Sequence, residues 1–264
     1  MTSRDGRYLA AILKALKVCR DYQPKFGKGK EAGFTLAEFK RLYGRDPFYS
    51  WFGLDSPLMY SAHRAAGGMT SIYRQIGIGC QWVFQAILQD SLGLAAEQAS
   101  WSYDVPSPAG KRTLSLDGRI TLNDLEDKAA RTRVAAWLKD AAAFLKLERQ
   151  AAKNLQGVVF EVRQGYKSKD SKRQNADVAN AANAYAHRYL PVNLVLSFQM
   201  DDDISERYLR ARWLLLKGTL SGTPLDSAYV FSRQVLKYDL AGFFRRHSAT
   251  LQREVVGVLK GLLR

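Results

Sequence analysis

The sequence predicts a mixed α/β protein. Short extended runs near 101–122, 158–164 and 192–199 alternate with longer stretches of helical periodicity, and 158–199 reads as strand–helix–strand. Of 264 residues, 47% are apolar and 11% aromatic, which is enough to bury a sizeable core and too much for a disordered chain. No Ser/Gly/Pro-rich linker, repeat or low-complexity tract interrupts the chain. One compact unit is therefore expected: a mainly helical region over 1–100, packed on a core over 101–264 that ends in helices.

From Tyr8 to Val18, the residues Leu9, Ile12, Leu13 and Leu16 recur at helical spacing, with Lys14 and Lys17 opposite. The Gly-Lys-Gly-Lys run at 27–30 reads as a loop. Thr35 is placed to cap a short helix through Tyr43, with Glu38 in capping-box position. The cluster Phe48-Tyr49-Ser50-Trp51-Phe52 is expected in the core, because large aromatic side chains drive burial. Thr70 or Ser71 opens an apolar helix to Leu92, carrying Ile72, Ile76, Val83, Phe84, Ile87 and Leu88. Gly77 and Gly79 inside it each cost about 1 kcal/mol relative to Ala, so another helix or a second subunit should approach closely there. Extended runs follow at 101–105 and 112–122, joined by a Pro-Ser-Pro-Ala-Gly turn. Asn123 or Asp124 is expected to cap a helix to Lys153. Val158–Gln164 and Val192–Gln199 read as strands on either side of an Ala-rich helix from Lys172 to Arg188. Ser205 begins a helix to Lys217, and the remainder to Arg264 is mostly helical.

Forty Lys and Arg face 25 Asp and Glu, and the net charge of +15 bears on partners rather than fold. The expected partner is a polyanion: DNA, RNA or an acidic membrane face. Residues 151–200 hold seven basic side chains against three acidic, and five of the seven fall between Arg163 and Arg173. Cations at the start of a helix oppose its macrodipole, so helix stability does not account for this run, whereas a polyanion does. Cys19 and Cys80 form no CxxC motif and have no His cluster nearby, which excludes a disulfide framework and structural zinc. His63, His187 and His247 lack ligand spacing. The small-residue segment 65–74 lacks the GK[ST] of a P-loop, so no nucleotide cofactor is expected. Read as a helix N-terminus, it would bring Tyr73 and Arg74 to a DNA phosphate; read otherwise, its small residues serve packing. Asp201-Asp202-Asp203 precedes a helix and reads as a cap rather than a metal cluster. No RNP-type aromatic strand points to an RNA module. No window reaches the roughly 20 apolar residues of a membrane span. The opening residues are amphipathic rather than apolar, so a cytoplasmic protein without a membrane partner is expected.

The segment Glu161-Val-Arg-Gln-Gly-Tyr-Lys-Ser-Lys-Asp-Ser-Lys-Arg-Gln-Asn175 carries the chemistry. On a strand, Glu161 and Arg163 share one face while Phe160 and Val162 share the other. A carboxylate on an apolar strand needs a partner or a metal. A glycine turn and a basic run follow it, and the combination suits a divalent ion at Glu161 with a phosphate nearby. Glu161 also reads as the ion-pair partner of Arg163 or Lys167, and Asp117-Gly118 as an ordinary hairpin turn.

Over roughly 112–199 the sequence resembles the PD-(D/E)xK nuclease superfamily, most closely type II restriction endonucleases. The resemblance implies a restriction-endonuclease-like mixed central sheet flanked by helices, and Mg²⁺ in up to two sites with Mn²⁺ as a substitute. Asp117, Glu161 and the Val162 carbonyl would be the metal ligands, with Asp104 and Asp124 as other candidates for the first acid. The superfamily's Lys position holds Arg163, which cannot act as a general base. Arg163 and Lys167 are then charge stabilisers, or Lys167, Lys172 or Gln164 takes the motif position. Lys169, Lys172, Arg173 and Gln174, with Tyr73 and Arg74, would contact DNA. The implied activity is attack of a Mg²⁺-activated water on double-stranded DNA at a specific palindromic sequence, as in restriction-modification. A homodimer would carry it out, joined through the Gly77/Gly79 helix or the C-terminal helices. A non-catalytic DNA-binding protein and a nuclease for branched DNA are the alternatives.

Overall fold

In the computed structural model, which describes residues 3–26, 32–107, 110–165 and 171–263, the chain forms two compact units. One comprises Met1–Gly79 with Arg246–Arg264, and the other Cys80–Arg245. The boundary between the units falls at Gly79, inside the stretch 1–100, and the end of the C-terminal helix belongs with the first unit.

The first unit is helical. Ser3 caps α1 (Arg4–Lys17) through the Gly6 amide, and Tyr8, Ile12, Ala15 and Leu16 form its buried stripe. Thr35 and Glu38 close the expected capping box on α2 (Leu36–Tyr43). Asp46 and Pro47 start α3 (Pro47–Trp51), a helix of five residues. Its aromatic residues depart from expectation: Phe48, Trp51 and Phe52 are exposed. The aromatic packing of this region centres instead on Phe26, Phe39 and Tyr43, with ring centroids 4.4–5.2 Å apart. Ser56 caps α4 (Pro57–Leu92) at the Met59 amide, so this helix begins well before Thr70. Segment 65–74 is therefore helix interior rather than a helix N-terminus, and its small residues serve packing. A methyl group at Gly68 would collide with the Leu262 side chain, and one at Gly79 would lie 2.9 Å from the Ile12 Cα. The close neighbour expected at Gly79 is thus a helix of the same chain, α1.

The second unit begins within α4 and continues through α5 (Ala96–Ala99). The hairpin β1 (Trp101–Ser107) and β2 (Gly110–Leu116) forms a two-stranded antiparallel sheet. At Asp117 the chain bends and enters a second sheet as β3 (Gly118–Thr121). The hairpin-turn reading of Asp117-Gly118 fails here, because β2 and β3 belong to different sheets. After a 3₁₀ turn at Leu122–Asp124 come α6 (Lys128–Phe144) and α7 (Arg149–Lys153). Asp127, not Asn123 or Asp124, caps α6, accepting from the Ala129 and Ala130 amides. Lys146 takes a left-handed φ of 52°, and the Leu147 amide bonds back to the Ala142 carbonyl, so the helix closes before Lys153.

The remaining elements are β4 (Gly157–Arg163), α8 (Ser171–Ala186), β5 (Tyr189–Val195), α9 (Asp202–Arg210), β6 (Leu214–Leu216), α10 (Ala228–Gln234) and α11 (Leu240–Leu262). Strands run in the order β3-β4-β5-β6, with β3–β4 antiparallel and the other pairs parallel. Each parallel step needs a crossover, and α8 and α9 supply them. Asp201 caps α9 as its acidic triplet suggested, but the helix stops at Arg210, and Leu214–Leu216 pairs with β5 instead of remaining helical. One sheet face, through Val159, packs on Trp101, Tyr103, Leu116, Ala184 and Tyr189. The other, through Phe160, meets Phe84 and Phe231 at ring distances of 5.0 and 5.6 Å. With both faces covered, β5 is buried throughout, as a central parallel strand should be. Among the described residues, no helix is long and apolar enough to cross a membrane.

Candidate active site

The site lies where β3 meets β4. Gly118 lets the chain pass against α4, since any Cβ there would sit 3.0 Å from Phe84. This fixes Asp117 beside the end of β4. The Asp117 amide donates to the Phe160 carbonyl at 2.8 Å, and its Oδ2 accepts from the Val162 amide at 2.8 Å. Gln81 of α4 donates through Nε2 to the same Oδ2 at 3.1 Å and to the Val162 carbonyl at 3.3 Å. Asp117 is thus joined to the main chain of Val162, the residue next to Glu161 on β4. Asp104 instead accepts from Thr113 in the β1–β2 hairpin, and Asp124 sits in the 3₁₀ turn beyond β3.

Glu161 and Arg163 share one face of β4, as alternation requires. The Arg163 Nη2 lies 3.2 Å from Glu161 Oε1 and donates to both oxygens of Asp177 on α8, at 2.7 and 2.8 Å. Tyr208 of α9 donates a further hydrogen bond to Asp177. Arg163 is 6% exposed and Asp177 3%, so this is an interior network in which the guanidinium is held by protein carboxylates. The ion pair between Glu161 and Arg163 is therefore present, and Asp177 enlarges it. Glu161 and Asp177 thus set two carboxylates against one guanidinium.

The side-chain and carbonyl acceptors here are oxygen, the donor type that hard cations prefer. Mg²⁺ commonly takes only one or two carboxylates, keeping water and substrate phosphate for the remaining positions. An ion of this kind would draw on Asp117 and Glu161 as carboxylate donors and Val162 as a carbonyl donor. Among the described residues, no group of three or more His, Cys, Asp or Glu side chains is arranged to hold a metal.

Lys167 and Lys169 lie outside the described residues, as does the 27–30 loop. Lys172, Arg173 and Gln174 occupy the first turn of α8, where the side chains are likewise outside the description. Tyr73 and Arg74 stand on α4 within the first unit, Arg74 exposed and Tyr73 partly buried. The sequence reading missed Gln81, Asp177, Tyr208 and Asn193. Gln81 is a polar residue amid an apolar helical stretch, and Asn193 interrupts an apolar strand. Those interruptions were the available signals.

The fold is mixed α/β, with Asp117 bonded to β4 and the Glu161–Arg163–Asp177 ion pairs on the strand that joins an antiparallel to a parallel pair. The chain matches no protein-family model, no curated protein and no solved structure.

Proposed function

We propose that this protein is a metal-dependent endonuclease acting on double-stranded DNA, of the type II restriction kind. The observation that carries the reading is the joining of Asp117 to Val162 across β3 and β4, which brings the first acid to the strand of the second. The strand–helix–strand unit β4-α8-β5 and the basic run leading into α8 support it further.

Bound Mg²⁺ would supply Lewis acidity toward a phosphoryl oxygen and lower the pKa of a coordinated water. The chain's own residues prepare the place. The Val162 amide and Gln81 orient the Asp117 carboxylate, and Arg163 orients Glu161. Asp177 and Tyr208 fix Arg163 from behind. The cations of the 167–173 run would attract the DNA backbone and neutralise part of its charge. With Arg163 committed to two carboxylates, phosphate neutralisation falls chiefly to that run.

The test is incubation of plasmid DNA with the protein, with and without Mg²⁺. Mg²⁺-dependent discrete fragments are expected from the parent. Glu161→Gln should abolish them while retaining DNA binding that weakens steeply with salt. Intact DNA under all conditions with binding retained would favour the non-catalytic reading, and cleavage by the Gln variant would remove Glu161 from the metal site.

A further inference from the structure

Asn193 sits in the middle of β5, where the strand otherwise reads Tyr-Leu-Pro-Val and Leu-Val. It is fully buried, and neither its Nδ2 nor its Oδ1 has a hydrogen-bond partner. Leaving buried polar groups unsatisfied destabilises a fold, so an apolar residue would serve it better. Its place is specific: Asn193 is the register partner of Glu161 across the parallel pair β4–β5. Register partners project from the same sheet face and stand one strand spacing apart, roughly 5 Å. On β6, Leu215 is the next residue along that row. Trp213, two residues before Leu215 and so on the same face, also buries an indole N–H without a partner. This sheet face therefore carries unused hydrogen-bonding capacity, and Asn193 brings it into the row that holds the candidate metal carboxylate.

We infer that Asn193 is a positioning residue for Glu161. Its amide donates to the Glu161 carboxylate, or to water held there, when a divalent cation is bound, and so fixes which oxygen faces the ion. The inference rests on the reading of Glu161 as a metal ligand. It assigns the amide to the cation-loaded state and explains why a costly side chain occupies an apolar strand.

The experiment is titration of the 264-residue chain with Mn²⁺ alone by calorimetry, alongside urea unfolding of the cation-free protein. Asn193→Val is β-branched and suits a strand, so its urea midpoint should equal or exceed the parent's. Its Mn²⁺ affinity should fall by ~10-fold or more, the usual consequence of losing a group that orients a metal ligand. Asn193→Ser retains a donor at smaller volume and should lose less; it carries the comparison if the Val variant does not fold. Parent-like Mn²⁺ affinity in the folded variants would overturn the inference alone. Absence of any Mn²⁺ binding that Glu161→Gln removes would overturn the metal reading and this inference with it.

Discussion

Replacing Arg163 with Met tests the buried network directly. The change keeps most of the side-chain length and removes the guanidinium that Asp177 meets with two bonds, at 2.7 and 2.8 Å, and Glu161 at 3.2 Å. Asp177 is then left 3% exposed with no cation beside it in this network, supported by the Tyr208 hydroxyl. Breaking a buried ion pair from one side costs about 3–5 kcal/mol, because the remaining charge is desolvated without compensation. With a urea dependence of roughly 2–3 kcal/mol/M, the midpoint should fall by about 1–2 M. Asp177→Leu should cost less, since Arg163 keeps Glu161. The double variant Arg163→Met/Asp177→Leu should recover much of the loss, because apolar replacement of a whole buried pair is often close to neutral. Tryptophan fluorescence during urea unfolding is a convenient readout, as the chain has five tryptophans. A midpoint for Arg163→Met within error of the parent would refute the reasoning and return Arg163 to a solvent- or phosphate-facing role.

Gly79→Ala should destabilise by about 1–3 kcal/mol despite the better helix propensity of Ala, since its methyl would meet the Ile12 backbone at 2.9 Å; a higher melting temperature would contradict that packing. Thr35→Ala should cost about 1 kcal/mol by opening the capping box, measurable in the same urea assay. Burial pushes the Cys80 thiol up to about 12 from 9.0. The buried thiol thus binds its proton more tightly than the unfolded one. Its stabilising contribution is complete below pH 9 and is lost as pH rises toward 12. Cys80→Ala should therefore flatten the decline in stability over that range. Urea midpoints at about pH 8 and about pH 10.5 will decide, and an unchanged slope would oppose the assignment.

Features governed by neighbours a few residues apart could be read from the sequence. Thr35 and Glu38 complete their box within one turn, and Asp201 caps α9 through the Asp203 amide. Alternation on β4 put Glu161 and Arg163 on one face before any partner was known. Local periodicity also located the strands at 158–164 and 192–199 to within a few residues. It failed at Leu214–Leu216, an apolar triplet that is helical by pattern and becomes a strand because β5 offers a free edge. The aromatic content of Phe48–Phe52 likewise did not decide its burial: Phe48, Trp51 and Phe52 are exposed while Phe26 and Phe39 are buried.

The site divides in the same way. Sequence alone determined that a carboxylate and a guanidinium alternate on an apolar strand leading into a basic run, because side-chain direction along a strand follows from the backbone's own geometry. Tertiary structure decided the rest. Asp117 reaches Val162 through strand pairing, Gln81 arrives from α4, Asp177 from α8 and Asn193 from β5, separated from their partners by 14 to 81 positions. Contacts between residues so far apart arise from which faces pack together, and no local pattern encodes that choice.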